Sequence, residues 1–104
     1  MLSKINVEII RFTDDSQPGF VECRLVDAQQ REWFFEEKVP VVTSEYLDST
    51  SVYPRRGEIA CRIIGSKRDG NQEFVRIDTS EPWGINSVCG ETQFEVFPEQ
   101  FQED

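Results

Sequence analysis

The sequence predicts an all-β fold: a small closed or partly open barrel of five to six mainly antiparallel strands, of OB or SH3-like type. Three observations lead there. Apolar and polar residues alternate in short runs, turn-forming residues interrupt the chain roughly every ten positions, and no stretch keeps helical spacing long enough for a convincing helix. At 104 residues the chain has room for one domain, and folding should bury roughly 65% of the surface that the unfolded chain exposes. Closing the sheet removes most unpaired edges, which favours a barrel; a two-sheet sandwich satisfies the same periodicity and is the alternative.

The first strand follows from Ile5, Val7 and Ile9 alternating with Asn6 and Glu8, a run of roughly eight residues. "TDDSQPG", 13–19, ends it with turn chemistry. A second strand places Val21, Cys23 and Leu25 on one face and Glu22 and Arg24 on the other, and "DAQQR" closes it as a hairpin loop. In "REWFFEEKV", Trp33, Phe35, Glu37 and Val39 oppose Phe34, Glu36 and Lys38, so both faces carry aromatic bulk. Pro40 cannot donate to a ladder, so this strand lies at an edge or stops there. "TSEYLDSTS" reads as a loop or a short helical turn, and "YPRRG", 53–57, as a tight turn before "EIACRIIGSKR", where Ile59, Cys61 and Ile63 share a face. "RDGN", 68–71, carries a hairpin signal. "QEFVRIDT" then sets Val75 and Ile77 against Phe74, Arg76 and Asp78, "TQFEVF" is the last strand, and Pro98 ends it. Residues 98–104 form a short tail in which Phe101 can dock on the barrel.

The formal charge is −9, and both halves share it: residues 1–50 carry −5 and residues 51–104 carry −4. Such a surface repels phosphate backbones and anionic lipid. Cys23, Cys61 and Cys89 lie far apart, with no C-x-x-C pair and no His in the chain, which argues against both a zinc set and a disulfide framework. Cys23 and Cys61 fall inside alternating runs, where a thiol acts as a small core hydrophobe. "MLSKINVEIIRF" has neither a long apolar stretch nor the shape of a signal peptide, so the expected location is the reducing cytoplasm, away from membranes.

One stretch stands apart. "EPWGINSVCGET", 81–92, puts a Trp, two Gly, a Cys and two Glu into a connection between strands. Trp83 either plugs the open end of the barrel or stands exposed as an anchor for a partner, with Asn86, Ser87 and Glu91 as polar contacts around it. The stretch feeds a strand and carries no Lys or Arg, so it is not a phosphate-binding loop. Cys89 has no His to make a thiolate, which speaks against a nucleophile.

The remaining chemistry is sparse. Glu36 and Glu37 point to opposite faces of a strand and cannot share a site, and Asp14 and Asp15 are turn residues. "DDSQPG" lacks the ligand order of a calcium loop. The expectation is no catalytic residue, no metal and no cofactor. Residues 55–68 invert the local charge, with Arg55, Arg56, Arg62, Lys67 and Arg68 against Glu58 alone, but the two basic clusters fall at opposite ends of one strand. Pairing with surface carboxylates explains them as well as a contact face does.

These features predict a non-enzymatic protein-binding module, such as an acidic inhibitor, immunity or adaptor protein acting on a basic protein partner, with Tyr53, Arg55, Arg56, Trp83 and Asn86 as contact residues. The alternative is an OB-like protein that binds single-stranded nucleic acid through Phe34, Phe74 and Arg76, against its own negative field. It is expected to be a monomer, or a homodimer paired through the strand that ends at Pro40.

Overall fold

A computed structural model describes residues 3–102. Six strands follow one another: β1 (Ser3–Asp14), β2 (Phe20–Val26), β3 (Glu32–Lys38), β4 (Arg55–Asp69), β5 (Gln72–Asp78) and β6 (Gln93–Val96). One turn of helix, α1 (Val39–Val42), follows β3, and a short 3-10 turn, Pro98–Gln100, follows β6. All the strands join one antiparallel sheet in the order β3-β2-β1-β4-β5-β6, curled as a half-barrel. The fold is the small all-β barrel that the alternation implies. Three hairpin-linked strands are followed by a fourth that returns beside the first, a Greek-key order that OB-type barrels also use.

β1 runs longer than its alternating core because it serves two ladders. Ser3 to Ile9 pair with β4, while Glu8 to Asp14 pair with β2 through two register shifts that bend the strand. Ile5, Val7 and Ile9, Val21, Cys23 and Leu25, and Val75 and Ile77 all point inward and are buried, as the period of two requires. Each large apolar side chain so buried contributes about 1.5–3 kcal/mol. From β3, Phe35 is fully buried, and Trp33 is half-buried with its indole N–H donating to Asp27 Oδ2 at 2.9 Å. Asp27 also accepts from the backbone N–H groups of Gln29 and Arg31, both at 2.9 Å, so a buried carboxylate organises the β2–β3 hairpin.

β3 and β6 are the two edges of the sheet; among the described residues no ladder joins them, and the loops beside them bridge the gap between the edges. Ala28 N–H donates to Glu95 O at 2.8 Å, and Val88 N–H to Phe34 O at 2.8 Å. Inside the seam, Phe94 packs edge-on against Trp33 and Phe35, with ring centroids 5.2 and 5.7 Å away. The C-terminal segment adds a second closure: Phe101 bridges Ile5, and Gln102 N–H donates to Lys4 O at 2.8 Å.

The sequence reading departs from the structure in β4. Arg55, Arg56 and Gly57, expected in a tight turn, already pair with Ile9, Glu8 and Val7. Ile63, expected in the core beside Ile59 and Cys61, is 49% exposed. The register shifts between Ile63 and Gly65, and among the described residues β4 from Arg62 onward is paired with β5.

Candidate functional site

The stretch 81–92 lies in the connection from β5 to β6, and buried residues pin it at several points. Thr79, fully buried, donates its hydroxyl to Ile85 O at 2.7 Å, and its N–H donates to Thr92 O at 2.8 Å. Ile85 N–H returns to Thr79 O at 3.0 Å, and the Ile85 side chain enters the core at 2% exposure. Ser87, also buried, accepts from Glu91 N–H through its hydroxyl at 2.9 Å. Gly84 takes a positive φ of 66°, which a side chain would resist, and its N–H closes a turn onto Ser80 O at 2.8 Å. Between these anchors Trp83 is 56% exposed. The plug of this connection is therefore Ile85, two residues along, and Trp83 stands at the surface.

Trp83 forms part of a cleft of about 130 Å³. Its other walls are Pro40 and Val41 of α1, Thr43 and Ser44 after it, and Lys4, Glu58 and Ala60 from the β1–β4 ladder. Lys4 and Ala60 are register partners, and the Lys4 ammonium pairs with Glu58 Oε1 at 3.0 Å. A wider depression of about 390 Å³, which shares Thr43, Ser44 and Glu58, continues toward Arg56 and Gln102. Gly57 makes the approach of α1 possible: a Cβ there would lie 3.1 Å from the Val42 carbonyl oxygen.

The other expected contact residues are spread out. Tyr53 is half-buried against the core, and its hydroxyl donates to Asp48 O at 2.8 Å, so it braces the loop before β4. Arg55 and Arg56 project to opposite faces of β4: Arg55 pairs with Glu45 at 2.8 Å, and Arg56 donates to Asn6 Oδ1 at 3.1 Å. Asn86 is exposed in the same connection as Trp83. Arg62 and Lys67 pair with Glu81 at 3.0 Å and Glu95 at 3.2 Å. Three of the five positive charges in residues 55–68 are thus matched by carboxylates from elsewhere in the chain.

Of the residues considered for nucleic acid, Phe74 and Arg76 lie together on the outer face of β5, while Phe34 is on β3 at the opposite edge of the sheet. Phe74 packs on Phe97 with centroids 5.6 Å apart, and Lys67 Nζ lies 5.7 Å from the Phe74 centroid. Arg76 donates to Gln93 Oε1 at 3.3 Å.

Burial pushes the Cys23 thiol up to about 12, with help from Glu37 and Glu22, and that of Cys61 up to about 11. Cys89 is exposed, and contact with the Ser87 hydroxyl, followed by the Glu91 backbone, lowers its pKa, while desolvation and the charge of the Glu91 carboxylate oppose the shift. These are hydrogen-bond effects on an isolated thiol.

Sequence reasoning missed most of the cleft: Lys4, Pro40, Val41, Thr43, Ser44 and Glu58 come together only through the crossover from β3 to β4. It also passed over Tyr46, which is 84% exposed in that crossover. No helix among the described residues is long and apolar enough to cross a membrane. No protein-family model, no curated protein and no solved structure matches this chain.

Proposed function

We propose that this protein is a non-enzymatic protein-binding module of inhibitor or adaptor type, and that it docks a basic protein partner at the Trp83 cleft. The observation that carries this reading is the exposed indole at the rim of a concave site, on a connection fixed by buried Thr79, Ile85 and Ser87. A large aromatic held in place loses little conformational entropy on binding, and Trp is among the residue types that most often dominate interface energy. The net charge of −9 adds steering toward a basic surface.

The test is capture of partners by the tagged protein from lysate of its source, with and without nuclease, read by mass spectrometry. A nuclease-resistant basic partner that is lost with Trp83→Ala, while the melting temperature of the variant stays within a few degrees of the parent, supports the reading. Partners that disappear with nuclease refute it.

A second reading, binding of single-stranded nucleic acid, draws on Phe74, Lys67 and Arg76 sharing one face of the β4–β5 ribbon. It is the weaker reading, because Lys67 is already paired with Glu95. It predicts affinity for oligonucleotides that falls steeply with salt and is lost with Phe74→Ala.

A further inference from the structure

We infer that the Trp83 cleft takes one cationic side chain, arginine or lysine, from the partner, stacked on the indole and paired with the Glu58 carboxylate in the place that Lys4 now holds. This rests on the reading of the cleft as a protein-binding site. Among the described residues, the Trp83 ring has no aromatic or cationic partner, although the same surface forms such contacts elsewhere, as at Lys67 and Phe74. An indole face attracts cations more strongly than any other side-chain ring. Glu58 lines the same cleft and already holds an ammonium there, that of Lys4, so the site accepts a positive charge.

That internal pair is replaceable. The Lys4 and Glu58 side chains are 40% and 28% exposed, and ion pairs so open to water add little to stability. Pro40, Val41 and Ala60 offer an apolar wall for the methylene stem of an incoming side chain. At about 130 Å³ the cleft suits one side chain, since sites for drug-sized ligands span about 300–1,000 Å³.

The experiment titrates the isotope-labelled full chain with the peptide acetyl-Gly-Gly-Arg-Gly-Gly-amide, and with the same peptide carrying citrulline in place of arginine. Nuclear magnetic resonance follows the Trp83 indole N–H and the Glu58 and Ala60 amides. The arginine peptide is expected to shift these signals with millimolar affinity. Lys4→Met should tighten binding by about threefold, because the competitor is gone, and Glu58→Gln should weaken it by about threefold or more. A role for Lys4 confined to holding the fold together predicts the opposite sign. Equal binding of the citrulline peptide, weaker binding by Lys4→Met, or no shift at Trp83 overturns the inference. A lysate partner that is lost with Trp83→Ala but kept by Glu58→Gln refutes the cationic side chain while leaving the binding module standing.

Discussion

Gly57→Ala tests how closely α1 is seated on the barrel. Gly57 sits in β4 opposite Val7, and a Cβ there would lie 2.7 Å from both Cδ1 and Cγ1 of Ile9 and 3.1 Å from the Val42 carbonyl oxygen. Ile9 is fully buried and has no open side to turn toward, and the carbonyl belongs to the backbone of α1. Overpacking of this kind costs about 1–3 kcal/mol. Alanine recovers about 0.5–1 kcal/mol of that by restricting the unfolded chain. The net loss should be about 1–2 kcal/mol, which in a domain of this size lowers the melting temperature by roughly 5–15 °C. Ile9→Val removes Cδ1, one of the two Ile9 carbons that the new Cβ would crowd; alone it should cost about 0.5–1.5 kcal/mol, and in the Gly57→Ala background less. Urea and thermal unfolding of the four proteins measure this coupling. Because α1 carries Pro40 and Val41 into the cleft, Gly57→Ala should also weaken the binding proposed at Trp83. Strictly additive effects, or a Gly57→Ala protein as stable as the parent, would refute the close seating.

Other consequences are equally direct. Asp27→Ala leaves three donors without their acceptor, including the Trp33 indole, and should lose about 2–4 kcal/mol in urea unfolding; a loss under about 0.5 kcal/mol would show that water replaces the carboxylate. Ile85→Ala should destabilise by about 2–5 kcal/mol, and a melting curve like that of the parent would mean that Ile85 is not the plug. In native protein, a thiol reagent should modify Cys89 alone, with Cys23 and Cys61 reacting only after denaturation; fast labelling of Cys61 would contradict its burial. Stability should also depend on pH in two opposing ways. Burial raises the pKa of Glu37, so the native state holds that proton more tightly than the unfolded chain, and Glu37 costs stability as pH rises above about 4.5. Hydrogen bonds lower the pKa values of Asp14, Asp48 and Asp78, led by the Ser16 backbone, the Thr50 side chain and the Ser80 side chain, so their contribution is present above about 3.8 and fades as pH falls. Glu37→Gln should therefore raise the melting temperature at pH 7 and lose that gain below about pH 4; a gain that persists at pH 3 would refute the assignment.

The parts of the fold legible in the sequence are those where a side chain's direction depends only on its own strand. Ile5, Val7 and Ile9 alternate inward because one face of β1 meets a core, and Val21, Cys23, Leu25, Val75 and Ile77 follow the same rule. Ile63 obeys that parity and is still exposed, next to a register shift in the β4–β5 ladder that no local pattern announces. "VPVV" was equally hard to read as the helical turn it forms, because one turn carries no periodicity. In the candidate site, Trp83 stood out as a residue but its exposure did not. Alternation says nothing about a loop, and whether Trp83 or Ile85 turns inward is set by Thr79, whose hydroxyl captures Ile85 O. The cleft itself joins residues 4, 40 and 58, whose proximity comes from the Greek-key crossover rather than from any local pattern.

On the proposed reading as a protein-binding module, the charge pattern and the cleft would divide the work of binding between rate and lifetime. Arg55, Arg62 and Lys67 are matched by Glu45, Glu81 and Glu95, so three of the five positive charges in the basic run of β4 are compensated, and an approaching protein would meet the field of the −9 chain. Such a field acts at distances near the Debye length, about 10 Å at 0.1 M salt, and speeds the encounter with a basic surface. Contact with Trp83 would form only once the proposed partner has arrived, so it would govern how long the complex lasts. Rising salt should therefore slow association and leave dissociation nearly constant, while Trp83→Ala should speed dissociation and leave the salt dependence of association intact. If Trp83→Ala instead changed mainly the association rate, the indole would be acting before contact, and the division drawn here between field and anchor would fail.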